Sequence, residues 1–207
     1  DALAALGYVE PSPVQREAIP PLLAGRDVLG QAATGTGKTE ACALPLLHAV
    51  TPDAEARERT TGLILVPTRE LAMQVAEAVH KYGKALGVSA LPIYGGASIE
   101  TQLRMLKRGV DVVVATPGRA LDHIRRKTLR LDSVKVVVLD EADEMLDMGF
   151  AEDLEAILQA TPETRQTALF SATLPPRIAQ LAEAHLKDPV RVRIDREVVP
   201  AGSAPRV

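Results

Sequence analysis

Residues Asp27–Thr39 restrict the chain to a small set of folds. Asp27-Val-Leu-Gly30 has the character of a buried strand end. Thr34-Gly-Thr-Gly37 carries two glycines for a tight turn. From Lys38 onward, apolar residues return at helical spacing (Ala41, Leu44, Leu47). A strand, a glycine-rich turn and a helix in succession aim several backbone N–H groups at one point. The helix adds the positive end of its dipole there. Such a place suits a phosphate. Residues Ala33, Thr34, Gly35, Thr36 and Gly37 supply the backbone, Lys38 a point charge, and Thr39 a hydroxyl suited to Mg²⁺. The strict pattern begins with Gly where this chain has Ala32.

Two later segments fit the same purpose. The continuous β-branched run Val136-Val-Val-Leu139 reads as a strand buried on both faces, and Asp140-Glu-Ala-Asp143 follows it directly. Asp140 then stands at the strand's C-terminal end, where ligands bind in open α/β sheets. It is a candidate Mg²⁺ holder through water, and Glu141 a candidate to orient or deprotonate a water molecule. These acids also complement the dipole of a helix expected over Glu141–Leu146. The third segment is Ser171-Ala-Thr173, after another apolar run. In this order the three segments imply hydrolysis of a nucleoside triphosphate coupled to a movement.

Elsewhere strand-like and helix-like segments alternate, which predicts an α/β fold with a doubly wound, mostly parallel sheet flanked by helices. Strands are expected near Asp27–Gln31, Gly62–Val66, Ala90–Tyr94, Asp111–Ala115, Lys135–Leu139, Thr167–Ser171 and Val190–Ile194. Helices are expected over Pro13–Leu23, Lys38–Ala49, Arg69–Leu86, Ile99–Lys107, Gly118–Arg125, Glu141–Leu146, Ala151–Gln159 and Pro176–His185. Residues 1–194 read as one domain, Asp53–Thr61 as an exposed loop, and 195–207 as a linker.

Aromatic residues make up only 2% of the 207, and Trp is absent. Stacking on bases is therefore excluded as the main route to nucleic acid, which leaves backbone contacts with little sequence specificity. The net charge of −3 excludes a generally basic binder. Charge is nonetheless segregated. Arg104, Lys107, Arg108, Arg119, Arg125, Arg126, Lys127, Arg130 and Lys135 face only three acids in that stretch, Asp111, Asp122 and Asp132. The single cysteine, Cys42, excludes a disulfide framework and reads as a core residue. The four histidines lack metal-ligand spacing and read as helix-surface or helix-end residues. No apolar run reaches membrane-spanning length and no secretory leader is visible, so the expectation is a cytoplasmic protein with no membrane partner.

The ordered motifs resemble the first RecA-like domain of DEAD-box RNA helicases, from Gly7 to about Val192. Asp140-Glu-Ala-Asp143 is that family's naming motif. Pro11-Ser-Pro-Val-Gln15 is similar to its Q motif, with Ser12 where Thr is commoner. Ala32–Thr39 resembles motif I and Pro67-Thr-Arg-Glu-Leu-Ala72 motif Ia. Gly95-Gly96 resembles the glycine doublet, Thr116-Pro-Gly-Arg119 motif Ib, and Ser171-Ala-Thr173 motif III.

The resemblance implies a RecA-like P-loop NTPase domain using ATP and Mg²⁺. It gives Gln15 the adenine edge, with Tyr8 and Pro11 lining the pocket, and Lys38, Asp140 and Glu141 the hydrolytic site. It sets Pro67, Thr68, Arg69, Gly95, Gly96, Thr116, Pro117 and Arg119 along an RNA backbone. Asp143, Ser171 and Thr173 then couple nucleotide to RNA. Arg69 and Arg119 can hold phosphates through paired N–H donors. Pro13, Thr68 and Thr116 are also ordinary helix-start residues.

Two features of the family lie outside the match: an adenine-stacking aromatic upstream of Gln15, and the second domain's arginine-rich motif. The resemblance therefore implies a second RecA-like domain as partner. It also implies a nearly inactive, monomeric domain when isolated. The first-domain motifs equally suit an ATP-gated RNA clamp. A DNA-directed motor of the same superfamily is the other alternative, and Pro11–Gln15 and Pro67–Ala72 argue against it.

Overall fold

The computed structural model describes residues 11–33, 37–50 and 59–194. Tyr8, Thr34, Gly35, Thr36 and the linker 195–207 lie outside the described residues. Seven strands form one sheet: β1 (Val28–Ala32), β2 (Gly62–Leu65), β3 (Ala90–Ile93), β4 (Val112–Ala115), β5 (Val136–Leu139), β6 (Gln166–Ser171) and β7 (Val190–Ile194). Their order is β3-β4-β2-β5-β6-β1-β7. Every pairing among the described strands is parallel, in keeping with the expected doubly wound, mostly parallel sheet.

The helices are α1 (Pro13–Leu23), α2 (Lys38–Val50), α3 (Arg69–Gly83), α4 (Ile99–Lys107), α5 (Pro117–Arg125), α6 (Ala142–Asp147), α7 (Ala151–Gln159) and α8 (Pro176–His185). Strand side chains alternate between two cores, as a period of two requires. Ile64, Val112, Val114, Val136, Val138, Ala168 and Phe170 join Val14, Leu46 and Val79 from α1, α2 and α3. Leu63, Leu65, Val113, Val137, Leu139 and Leu169 join Leu121, Met145, Leu154 and Ile178 from α5 to α8. Continuous apolar strands are what a sheet covered on both faces demands.

Local chemistry accounts for the details. A Cβ at Gly30 would stand 2.5 Å from the Phe170 ring, so the β1–β6 pair closes only around glycine. Pro92, which lacks an N–H, sits in the edge strand β3. The long helix expected over Arg69–Leu86 stops at Gly83. A 3₁₀ turn over Lys84–Leu86 follows, and Gly87 (φ 70°) ends it in the left-handed region. No described helix is long and apolar enough to cross a membrane.

Candidate nucleotide site and nucleic-acid face

The strand order divides the C-terminal edge of the sheet into two halves. Adjacent strands β5, β6 and β1 end at Asp140, Ser171 and the loop leading to Lys38. Adjacent strands β3, β4 and β2 end at Gly95-Gly96, Thr116–Arg119 and Pro67–Arg69.

In the first half, Lys38 opens α2 and is only 6% exposed. Its Nζ lies 3.4 Å from Asp140 Oδ1 and has no hydrogen-bond partner among the described residues. An ammonium group carries three donors, and leaving them unused inside a protein is costly. A phosphate at the start of α2 would satisfy them, so the residues present fit a nucleotide. Asp140 is equally buried, and its Oδ1 accepts the Glu141 N–H at 2.9 Å. Burial raises the Asp140 carboxyl above its usual range, Lys38 draws it back, and Glu141 pushes it up again.

Glu141 was expected inside a helix. It is the N-cap of α6 instead: its carbonyl accepts the Met145 N–H at 3.2 Å, but its own backbone is left-handed (φ 54°, ψ 48°) and so not helical. That geometry is strained for a residue with a Cβ, and strain of this kind gathers at functional sites. Among the described residues no cluster of three or more His, Cys, Asp or Glu side chains could hold a metal alone. Mg²⁺ needs no such cluster, since one or two carboxylates, phosphates and water satisfy it. Asp140 and the Thr39 hydroxyl are suitable hard-oxygen donors.

The Pro11–Gln15 segment packs against the phosphate loop. Ser12 and Gln15 form a reciprocal cap on α1, and Gln15 Nε2 donates to Gly37 O at 3.3 Å. A Cβ at Gly37 (φ 88°) would lie 2.6 Å from Ser12 Oγ, so only glycine fits. Gln15 keeps one N–H and one lone pair beyond these bonds. Cys42 is buried as expected, and burial together with the Asp140 charge raises its thiol pKa.

The Ser171–Thr173 segment meets Asp143 directly. Ser171 Oγ accepts the Asp143 N–H at 3.3 Å. Asp143 Oδ2 accepts from the Thr173 N–H and hydroxyl at 3.2 and 2.9 Å. Burial pushes the Asp143 carboxyl up, but these bonds and the Glu144 N–H outweigh it and hold it below the ordinary range. Gln31 Nε2 donates to Ala172 O at 3.4 Å and joins the ends of β1 and β6.

The second half differs in texture. Gly95 and Gly96 are exposed, with open space where a Cβ would be. Thr68 caps α3 by accepting from the Leu71 N–H, whereas Thr116 makes no side-chain cap to α5. Arg69 is exposed and lies 5.1 Å from the centroid of the Tyr94 ring. Pro67 and Pro117 are buried, so they shape the loops rather than present a surface. Arg119 is half-buried, and its Nη1 donates to Ala97 O at 3.1 Å and to Gln102 Oε1 at 3.0 Å. Gln102 and His123 were not among the residues singled out from sequence, and the structure buries both here. His123 stands in the last turn of α5, a helix end as expected, but not at the surface. It is fully buried because Gln102 and Thr128 satisfy both ring nitrogens.

The family model of the DEAD/DEAH box helicases matches residues 12–181, which include both halves of this edge. The chain belongs to that family. It is 53% identical over 194 residues to the DEAD-box ATP-dependent RNA helicase CshA of Bacillus cereus, covering 94% of this chain and 36% of that protein. It is 52% identical over 199 residues to the ATP-dependent RNA helicase DeaD of Escherichia coli, covering 96% and 31%. The chain thus spans about a third of the length of these curated relatives.

Among solved structures, a DEAD box protein from Methanococcus jannaschii superposes with a TM-score of 0.88 at 40% identity, covering 94% of this chain and 52% of that one. A hypothetical ATP-dependent RNA helicase from Sulfolobus tokodaii gives 0.85 at 35%, covering 93% and 55%. The fold is therefore the RecA-like domain of this family, and membership implies use of a nucleotide.

Proposed function

We propose that this chain is the ATP-binding first domain of a DEAD-box RNA helicase, whose ATP cycle drives RNA binding and local duplex opening. The observation that carries the reading is the buried Lys38 ammonium, held 3.4 Å from Asp140 at the start of α2 with no hydrogen-bond partner among the described residues. Asp140 supplies one counter-charge, and a phosphate at the start of α2 would give the ammonium the hydrogen bonds that Asp140 does not.

Lys38 binds the β/γ-phosphates and balances negative charge as the γ-phosphoryl group leaves. Asp140 and Thr39 are the residues that would hold Mg²⁺, which when bound neutralises phosphate charge. Glu141 orients the attacking water in line with the breaking bond and takes its proton. The products are ADP and inorganic phosphate. Gln15 reads the adenine edge with its remaining donor and acceptor. Pro11 and Tyr8 border the base. Thr68, Arg69, Gly95, Gly96, Thr116 and Arg119 line the RNA backbone, with Pro67 and Pro117 shaping their loops. Asp143, Ser171 and Thr173 carry the nucleotide state to that face through the bonds joining β6 to α6. A second RecA-like domain closes over both sites and supplies an arginine, worth about 10³–10⁵ in rate. A cytoplasmic setting fits RNA as substrate.

The test is RNA-stimulated ATPase and duplex unwinding by the full-length protein, beside a Glu141→Gln variant. RNA-dependent hydrolysis and unwinding, both lost in the variant, are expected. Stimulation by DNA as strong as by RNA, or RNA binding that is ATP-dependent without strand release, would contradict the reading.

A further inference from the structure

Behind the second half of the edge lies a polar cluster with no part in the account so far. His123 is fully buried on α5 and Gln102 is 6% exposed on α4. His123 Nε2 lies 2.9 Å from Gln102 Oε1 and Nδ1 2.9 Å from Thr128 Oγ1. Gln102 Nε2 donates to Tyr94 O at 3.0 Å, and Gln102 Oε1 also accepts from Arg119 Nη1. These partners fix the Gln102 amide and the proton on His123 Nε2. Tyr94 O can only accept and Arg119 can only donate, so the amide orientation is set. Gln102 Oε1 can only accept, so His123 Nε2 carries a proton, while the Thr128 hydroxyl has one proton to share between His123 Nδ1 at 2.9 Å and the His123 carbonyl at 3.0 Å.

The cluster ends at Arg119. Both of its hydrogen bonds to described residues use Nη1, to Ala97 O and Gln102 Oε1. Nε and Nη2 have no partner among the described residues. Together they form the edge of a guanidinium that pairs bidentately with a phosphate. The same amide and guanidinium bind Tyr94 O and Ala97 O, so the loop bearing Gly95-Gly96 is fastened to the start of α5. Buried polar clusters rigidify what they join when their members are paired, and here the Gln102 amide and both ring nitrogens of His123 have partners.

We propose that Gln102 and His123 are positioning residues that hold Arg119 with its Nε/Nη2 edge turned out to grip an RNA phosphate, and that lock the Gly95-Gly96 loop to the same unit. The proposal rests on the reading of Arg119 as an RNA contact. Neither residue touches RNA. Gln102 acts on Arg119 directly, and His123 acts by fixing the Gln102 carbonyl.

The experiment is a double-mutant cycle in the full-length protein. Labelled oligouridylate is titrated with Mg²⁺ and a non-hydrolysable ATP analogue, and thermal melting monitors folding. Arg119→Ala should weaken RNA binding about 10- to 100-fold. Gln102→Met, which matches the volume and removes the acceptor, should weaken it about three- to tenfold. The double variant should match Arg119→Ala alone. His123→Phe should behave like Gln102→Met, whereas His123→Gln, which restores an N–H toward Gln102, should recover most of the loss.

If Arg119→Ala leaves RNA affinity unchanged, the contact reading fails and the proposal with it. If Arg119→Ala weakens binding but Gln102→Met does not, the positioning role alone is overturned. Multiplying losses in the double variant would overturn it too, because Gln102 would then act without Arg119. Should Gln102→Met melt before the assay temperature, the His123→Phe and His123→Gln pair decides by the same criteria.

Discussion

The two halves of the sheet edge are built on opposite principles. At the ends of β5, β6 and β1, charge is buried and left incomplete. Lys38 and Asp140 are each 6% exposed, Lys38 lacks a hydrogen bond among the described residues, and Glu141 is held in left-handed backbone. At the ends of β3, β4 and β2, polar groups lie at the surface or are anchored by neutral partners. Thr68 caps a helix, Arg69 rests on Tyr94, and Arg119 is anchored at Nη1. The first half stores unfavourable energy that a ligand can release. The second half is a finished surface that a long backbone can lie along. This difference suits a small, tightly held nucleotide on one side and an extended polymer on the other.

The comparison breaks most readily at Lys38. Lys38→Met should weaken nucleotide affinity by about 100-fold, the worth of the lost charged hydrogen bonds, as read by calorimetric titration. A change below a few-fold would make the buried ammonium merely structural. Asp140→Asn leaves that ammonium without its counter-charge, and unliganded stability should fall by about 3 kcal/mol in urea unfolding. A neutral result would mean that Lys38 is solvated.

Asp143→Ala removes the acceptor for Thr173 and should cost about 1–2 kcal/mol. It should also uncouple ATP hydrolysis from RNA, seen as RNA-independent turnover. The folded pKa of Asp143 lies below its ordinary value, so its stabilisation is present above that value. It should disappear as pH falls through the folded pKa. An acid-unfolding profile of Asp143→Asn that loses this component would sharpen the contrast.

Glu141→Gly should raise stability by up to about 1 kcal/mol while abolishing hydrolysis, since glycine adopts φ 54° without strain. A destabilised variant would argue that the left-handed geometry costs nothing. The smallest effect belongs to the second half. Burial, and then the Arg119 charge, lower the His123 pKa against the opposing pull of Asp122, so the folded state favours the neutral ring. Stability should decline as pH falls from about 6.5 toward the folded value, where the unfolded chain binds a proton and the folded one does not. His123→Phe should flatten that limb.

Much of this was legible in the sequence because it depends on short-range chemistry. The bounds of α1, α4, α7 and α8 follow from Pro, Ser and Gly punctuation together with helical spacing. The β-branched runs 112–114 and 136–138 announce strands covered on both faces. The candidate residues of the first half could be grouped from the sequence because each lies in a short contiguous segment at a strand end or helix start. Three things were not. The strand order, which collects β5, β6 and β1, depends on tertiary packing. The left-handed Glu141 had no glycine to flag it. Gln102 and His123 meet only across two helices. One signal was available: Gln102 shares a helical stripe with Ile99, Leu103 and Leu106, where a polar residue needs a buried partner.

The central claim is that the incomplete charge at Lys38 is a nucleotide-phosphate site. Calorimetric titration of this chain with ADP and Mg²⁺, beside Lys38→Met checked for an intact fold by circular dichroism, tests it most directly. The account predicts binding that disappears in the folded variant, with ADP preferred over GDP. Equal binding by both proteins, or no binding by the folded native chain, would contradict it.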